Sequence, residues 1–210
     1  MQGQIKNIIF DLGGVLFDID YTRTIGAMEK IGVKDFDKIF TQKNQSDLFN
    51  RLEEGKISAE EFTKELSEIS GVPLKKKDVE WALNTMLFNM PTHRFDLLDL
   101  LKTRYRLFLY SNINEVHAKE IHRVIKETHG FPDFNKHFEK VYYSFELGIR
   151  KPKPDGFLAI IREQKLNPEE TLFIDDSPQH VEGAKKAGLH AVWLNLKQQD
   201  VHGMIEELGL

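Results

Sequence analysis

Short apolar runs that end at turn residues are the first pattern along the chain. The first run is rich in isoleucine, ends with Phe10 and is stopped by Asp11 and two glycines. A run of this kind is typical of a buried strand that leads into a tight loop, so we predict a strand over residues 5–10. Similar runs predict four further strands, at residues 106–110, 140–143, 171–174 and 191–194.

Helical patterns lie between the later runs. Residues 92–103 repeat leucine at helical spacing, residues 154–164 begin with a proline that suits a first helical turn, and residues 178–187 end before Gly188. Strands therefore alternate with helices. This order predicts an α/β fold, in which a parallel sheet has helices on both faces.

The stretch between the first two strands breaks the alternation. No strand-like run occurs from about residue 21 to residue 88, and amphipathic helices can be drawn instead. One of them spans residues 58–70, where Ser58 and Glu61 fit a capping box. A connection of roughly 70 residues is too long for a loop, so we expect it to pack on itself. We predict a small helical bundle at residues 18–90, inserted into a core made of residues 1–17 and 91–210.

Composition narrows the class of protein. The 210 residues are 40% hydrophobic and 30% charged, which is enough apolar material for a packed core. A net charge of −4 indicates neither a nucleic acid nor an anionic membrane as partner. The absence of cysteine excludes disulfides, thiolate metal sites and a cysteine nucleophile. No signal peptide or membrane span is evident, so we expect a cytoplasmic protein; the oligomeric state stays open.

Polar residues follow three of the predicted strands. Asp11 comes after the first strand, Ser111 and Asn112 after the second, and Asp175 and Asp176 after the fourth. The carboxyl ends of parallel strands share one edge of a sheet, and a reversal of winding can place strand four beside strand one. We therefore expect the three aspartates to lie together. Such a cluster needs a cation, and oxygen ligands without cysteine or paired histidines favour Mg²⁺ over zinc.

A lysine completes the predicted site. Lys151 lies in a loop that two prolines stiffen, and its positive charge suits a phosphate group. A carboxylate can attack phosphorus while the metal, the lysine and the Ser111 hydroxyl bind the phosphoryl oxygens. Each residue alone has an ordinary structural explanation, since aspartates cap helices and lysines are usually solvated. Their joint placement at successive strand ends favours the phosphate site.

Four segments, in order, resemble the motifs of the haloacid dehalogenase-like (HAD) hydrolase superfamily. They are residues 10–16 (FDLGGVL), 109–112 (LYSN), 148–152 (GIRKP) and 174–177 (IDDS). The resemblance implies a Rossmann-like core, and the helical insertion resembles the family's C1-type cap, which closes over the active site and selects the substrate. Within the superfamily, motif one and the Asp18-Ile19-Asp20 that follows are similar to bacterial sugar-phosphate phosphatases of the α-D-glucose-1-phosphate phosphatase kind.

The resemblance implies a role for each motif residue. Asp11 is expected to be the nucleophile that forms an aspartyl-phosphate. Mg²⁺ is expected to bind to Asp11, the backbone carbonyl of Gly13, Asp175 and Asp176.

The other motif residues are implied to bind the substrate. Ser111, Asn112 and Lys151 are expected to bind the phosphate, with Asn112 lining the same pocket. Lys151 is also expected to restrain the charge of Asp11.

One position departs from the family pattern. Motif one usually carries a second aspartate that protonates the leaving group, and here Gly13 stands in its place. Losing such a group costs about 10² to 10⁴ in rate, less where the leaving group is good, as an anomeric sugar hydroxyl is. Asp18, Asp20 or a bound water could substitute, and Arg23 could meet the substrate. The alternative is that Asp18 and Asp20 are solvated charges at the hinge and that Arg23 has a structural role.

The sequence thus predicts a Mg²⁺-dependent phosphatase that acts on a small phosphorylated metabolite, such as a hexose 1-phosphate. A 2-haloacid dehalogenase is one alternative, but members of that branch typically need no metal and have little use for Asp175 and Asp176. A catalytically degenerate binding protein is the other: Gly13 favours it, and Asp11 and Lys151 argue against it. The eight histidines show no metal-binding spacing, and His117, His122 and His129 are predicted to lie on a helix surface.

Overall fold

A parallel sheet forms the centre of the molecule. The structure, a computed structural model, describes residues 5–39 and 47–210, and in that part of the chain five strands pair in the order β3-β2-β1-β4-β5. The strands are β1 (Asn7–Phe10), β2 (Arg106–Ser111), β3 (Lys140–Tyr143), β4 (Thr171–Asp175) and β5 (His190–Trp193). The first strand begins at Asn7 rather than at Ile5, and the last is shifted by one residue from its predicted position. The predicted parallel sheet is confirmed.

Helices connect the strands and fill the insertion. Those between β1 and β2 are α1 (Tyr21–Lys30), α2 (Phe36–Ile39), α3 (Asp47–Glu53), α4 (Ala59–Ser70), α5 (Lys76–Asn84) and α6 (Thr92–Leu101). The later ones are α7 (Glu115–His129), α8 (Ser144–Leu147), α9 (Pro154–Gln164), α10 (Pro178–Lys186) and α11 (Val201–Leu208). The predicted capping box at Ser58 and Glu61 is present and starts α4. No helix in the described residues has the length and apolarity needed to cross a membrane.

Side chains alternate along each strand, so apolar residues point to both faces of the sheet, and helices cover both faces. One face presents Ile8 and Phe10 of β1 to an apolar cluster that includes residues of α6, α7 and α11. The other face presents Ile9 to a second cluster, which includes Phe157 of α9 and Ala184 of α10. Because both faces of the sheet are buried, the strands consist of nearly continuous apolar runs. The prediction of helices on both faces is confirmed.

The helices α1 to α5 share an apolar cluster of their own. Its centre holds three aromatic rings in edge-to-face contact, with centroids 5.7 Å apart for Phe36 and Phe49 and 4.9 Å apart for Phe49 and Phe62. The two segments that join these helices to the sheet run side by side, since Asp18 N–H donates to Asn89 O at 2.8 Å. The domain boundaries at residues 18 and 90 stay a prediction.

Candidate active site

Three aspartates meet at the carboxyl edge of the sheet. β1 pairs with β4 so that Phe10 lies opposite Ile174, and the next residues along the two strands are Asp11 and Asp175. Asp176 follows directly. One carboxylate oxygen from each aspartate can be chosen so that all three lie within 4.8 Å of one another. The structure therefore brings together the cluster that the strand order predicts.

Lys151 lies inside this cluster. Its side chain is completely buried, and its Nζ donates to Asp11 Oδ1 and to Asp175 Oδ2, both at 2.6 Å. Two buried anions with a single cation between them leave a net negative charge in a region of low dielectric. Such a group is stable when every charge is hydrogen-bonded, and it attracts a further cation.

Asn112 holds the lysine loop in place. Its Oδ1 accepts from Lys151 N–H at 2.8 Å, and its Nδ2 donates to Lys151 O at 2.9 Å. The residue lines the same cavity as Asp11, as expected. Both polar groups of its side chain contact the backbone of Lys151. The expected role of Asn112 in binding phosphate stays a prediction.

The charged groups in the cluster shift one another's pKa values. Burial raises the pKa of the Asp11 carboxyl, and the Lys151 ammonium does not cancel the effect because Asp175 adds a second negative charge. Burial also acts to raise the pKa of Asp175, but Lys151 and His180 hold it below its ordinary value. For Lys151, burial acts to lower the pKa, yet the two aspartates raise it. Asp11 is thus the carboxylate that most needs additional positive charge in order to ionise.

His180 is part of the site although no sequence motif predicts it there. Its Nδ1 lies 3.0 and 3.1 Å from the two oxygens of Asp175, and Ser177 N–H donates to Asp175 Oδ1 at 2.8 Å. These contacts orient the Asp175 carboxylate from the first turn of α10. The sequence feature that could have indicated a role for His180 is its position in α10, the helix that begins directly after the two aspartates.

Gly13 faces a hydrophobic side chain. A Cβ placed on Gly13 would lie 2.9 Å from Ile19 Cδ1, so Ile19 fills the space that a side chain at position 13 would occupy. Both residues line the cavity, and Ser111, buried at the end of β2, lines it as well. Where the motif usually carries its second aspartate, this cavity has an apolar wall.

The insertion contributes the other side of the cavity. Its lining residues there are Tyr21, Glu53, Met86 and Leu87. Glu53 is buried and accepts from Arg150 Nε at 3.0 Å and from Nη2 at 2.7 Å. The two partners are 97 residues apart in the chain, so no local pattern could have indicated this pair.

The three predicted hinge residues lie away from Asp11. Asp18 pairs with Arg94 Nη1 at 2.7 Å, and Asp20 caps α1 by accepting from Thr22 N–H at 2.9 Å. The Arg23 guanidinium covers the ring of Phe88, 4.5 Å from its centroid. None of the three lines the Asp11 cavity, whose described lining comes from other residues. The structure therefore favours structural roles for these residues, although Asp18 and Asp20 have partners instead of being only solvated.

The expectation that His117 lies on a helix surface is wrong. Only 8% of this residue is exposed, because the first turn of α7 packs against α5 of the insertion. His122 and His129 are also partly buried, and bond to the Tyr143 hydroxyl at 2.9 Å and to Asn89 Oδ1 at 3.2 Å. Helical periodicity within α7 gives no information about the contacts with the insertion and with β3 that cover these residues.

Comparison with known proteins identifies the family. A model of haloacid dehalogenase-like hydrolases matches residues 5–188. The chain belongs to this family. The HAD-like resemblance of its four motifs is thereby confirmed.

Several relatives are named as phosphatases. A D-ribitol-5-phosphate phosphatase from Bacteroides thetaiotaomicron is 34% identical over 88% of this chain and 89% of that protein. A (DL)-glycerol-3-phosphatase from Arabidopsis thaliana is 28% identical over 97% and 87% of the two chains. Neither name mentions glucose 1-phosphate, so the resemblance to that kind of phosphatase stays a prediction.

Solved structures of HAD-like proteins share the fold. An aspartate-to-alanine variant of a HAD family enzyme from Bacteroides thetaiotaomicron, in complex with magnesium and inorganic phosphate, superposes with a TM-score of 0.88 at 32% identity, covering 95% of this chain and 98% of that one. A HAD-like hydrolase from Porphyromonas gingivalis gives 0.86 at 36% identity, covering 98% of each chain. An L-2-haloacid dehalogenase from Xanthobacter autotrophicus, at 18% identity, a TM-score of 0.63 and coverage of 98% and 82%, shares the fold alone.

Proposed function

We propose that this HAD-like protein is a Mg²⁺-dependent phosphatase that hydrolyses a small phosphorylated metabolite through an aspartyl-phosphate. The observation that carries the proposal is the buried group of Asp11, Lys151 and Asp175 at the carboxyl edge of the sheet, with Asp176 beside it. Phosphatases among the relatives support the same reaction class. The group provides a nucleophile, a fixed cation and a place for a divalent metal within one cavity.

The residues present fit a magnesium ion. The donors are carboxylate oxygens of Asp11, Asp175 and Asp176, and hard oxygen donors without sulfur or paired imidazoles suit Mg²⁺. The Gly13 carbonyl is the fourth ligand that the family motif implies. When bound, the ion supplies positive charge that keeps Asp11 ionised and neutralises phosphoryl oxygens. A similar HAD family structure was solved as a magnesium complex.

The chemistry begins at Asp11. Its carboxylate attacks the substrate phosphorus, the bond from phosphorus to the ester oxygen breaks, and the leaving oxygen keeps that electron pair and takes a proton from solvent water. Lys151 keeps the carboxylate oriented and, with the Ser111 hydroxyl, stabilises negative charge on the phosphoryl oxygens. Water then attacks phosphorus, which releases phosphate and regenerates the Asp11 carboxylate.

The cavity that would receive the leaving group has both apolar and polar lining residues. Ile19, Met86 and Leu87 form an apolar wall, while Tyr21 and the Glu53–Arg150 pair are polar. Arg150 is paired with Glu53, so among the described lining residues no lysine or arginine beyond Lys151 is left for a second anionic group. This combination suits a neutral, hydroxylated carbon chain, such as that of a sugar phosphate.

A hexose 1-phosphate is a substrate that depends little on the missing general acid. Gly13 and Ile19 provide no proton donor where the family motif carries its second aspartate, and an anomeric hydroxyl leaves with less help from an acid than an ordinary alcohol does. We therefore place sugar 1-phosphates first among candidate substrates and alkyl phosphates of polyols second.

A phosphate-release assay tests the proposal. Purified protein is incubated with Mg²⁺ and p-nitrophenyl phosphate, hexose 1-phosphates and polyol phosphates, with 2-chloropropionate included to detect dehalogenation. We expect phosphate release that EDTA abolishes and Mg²⁺ restores, and release of chloride alone would support the dehalogenase instead. Asp11→Asn is expected to remove activity while the exposed Asp96→Asn retains it. No phosphate release from any substrate would overturn the proposal.

A further inference from the structure

A chain of hydrogen bonds links the loop after β2 to the insertion through one buried imidazole. Asn114 caps α7, with its Oδ1 accepting from His117 N–H at 3.0 Å. The Asn114 Nδ2 lies 3.1 Å from His117 Nδ1, and His117 Nε2 lies 3.1 Å from the carbonyl oxygen of Leu83 in α5. The imidazole therefore spans the boundary between α7 and α5.

The partners determine which nitrogen of the ring carries the proton. Because Asn114 Oδ1 is taken by the backbone N–H, the group facing the ring is the amide NH₂, which can only donate. His117 Nδ1 is thus an acceptor. A carbonyl oxygen can only accept, so Nε2 carries hydrogen and donates to Leu83. The neutral Nε2–H tautomer satisfies both contacts, and burial, which lowers the pKa of His117 to about 4, keeps the ring neutral.

Both ends of this connection lead to the proposed substrate cavity, which His117 itself also lines. Asn114 is three residues after Ser111, the expected phosphate ligand. At the other end, Leu83 O also accepts from Thr24 Oγ1 of α1 at 3.0 Å, so one carbonyl ties α1, α5 and α7 together. The chain then continues from Leu83 to Met86 and Leu87, which line the cavity.

We propose that His117 is a positioning residue that holds the Met86–Leu87 wall of the insertion at a fixed distance from the phosphate-binding loop. Through that wall it determines how tightly the organic part of the substrate binds. The kinetic part of this inference rests on the proposed phosphatase function. The structural part does not, since it concerns only how α5 is held against α7.

Three variants test the kinetic part. His117→Leu removes both side-chain contacts, His117→Gln retains a donor that can reach Leu83 O, and His122→Leu is the control, a histidine of the same helix that does not line the cavity. For the best hydroxylated substrate we expect His117→Leu to raise KM about tenfold, as the loss of a buried hydrogen bond suggests, with a much smaller change in kcat. His117→Gln should restore most of the lost affinity, and His122→Leu should match the wild type.

Two measurements need no activity. Nitrogen NMR of the imidazole should show the neutral Nε2–H tautomer of His117 at pH 7. Hydrogen exchange of the α5 amides, residues 76–84, should accelerate in His117→Leu while that of α4 stays unchanged. These outcomes support the positioning role even if the wild type releases no phosphate, in which case only the proposed function fails.

Other outcomes overturn the inference. An Nδ1–H tautomer would contradict the bonding scheme directly. Equal α5 exchange in His117→Leu and wild type would show that the ring does not hold the insertion. A purely structural role predicts instead that kcat falls and KM rises together for all substrates, with no rescue by His117→Gln.

Discussion

The two sides of the proposed cavity are built in different ways. On the sheet side, Asp11, Ser111 and Asp175 are terminal or adjacent residues of paired strands, and the strand register places them. On the insertion side, Tyr21 and Glu53 belong to helices whose position depends on contacts with distant loops, such as the bond of Glu53 to Arg150. In the proposed reaction the sheet side carries the reacting groups, and the insertion side contacts the rest of the substrate. We therefore expect substitutions on the sheet side to stop the chemistry and substitutions on the insertion side to change substrate binding.

The largest effect is expected from Lys151→Met. The change leaves Asp11 and Asp175 buried without their shared cation, which should destabilise the fold by about 3–5 kcal/mol and remove activity. Urea denaturation and phosphate release measure the two effects. Lys153→Met is the matched control, because the side chain of this lysine in the same loop is exposed, and its partner Glu54 keeps a second cation, Lys56. Equal effects of the two substitutions would contradict the distinction between the sides.

A gain of activity is expected from supplying the missing acid. Gly13→Asp alone should collide with Ile19, so the informative variant is Gly13→Asp with Ile19→Ala. Hydrolysis of alkyl phosphates, which need protonation of the leaving oxygen, should rise by up to about 10²-fold. The rate on p-nitrophenyl phosphate, whose leaving group is good, should change little. Ile19→Ala alone is the control, and an equal gain there would show that space, not the carboxyl group, limits the reaction.

A smaller effect is expected on the insertion side from Glu53→Gln. Loss of a charged hydrogen bond to Arg150 should raise KM for the hydroxylated substrate by about 10-fold or more and alter kcat less. Glu54→Gln, at the next position, is the control because Glu54 pairs with Lys56 and Lys153 rather than lining the cavity. Steady-state kinetics on p-nitrophenyl phosphate and the best metabolite separate the two constants. A large fall in kcat with unchanged KM would place Glu53 with the reacting groups instead.

The smallest effect is a dependence of stability on pH. The pKa of His117 is lowered from 6.5 to about 4, so between these values the unfolded chain binds a proton that the folded chain does not. The free energy of unfolding should therefore fall as pH decreases, by about 1 kcal/mol between pH 6.5 and 5.5. Urea denaturation at both pH values measures it. His117→Gln should lose this part of the slope; an unchanged slope would mean that other groups produce it.

The same contrast explains what the sequence could predict. The strands, the acidic cluster and Lys151 follow from local features: apolar runs, the residues after them, and a parallel sheet whose strand ends share one edge. The capping box at Ser58 is equally local. His180 against Asp175 and Ile19 against Gly13 depend on how a helix or a loop turns after leaving the strand. The burial of His117 depends on the contact of α7 with the insertion. The hydrophobic pattern within α7 gives no information about that contact.

A rapid-quench experiment on the Asp11 peptide tests the central claim most directly. Protein that is turning over the best substrate with Mg²⁺ is quenched in acid and digested, and the peptide containing Asp11 is analysed by mass spectrometry. We predict that this peptide gains one phosphoryl group on Asp11 during turnover, and that Asp11→Asn gains none. Phosphate release at full rate without any phosphoryl group on Asp11 would contradict the account.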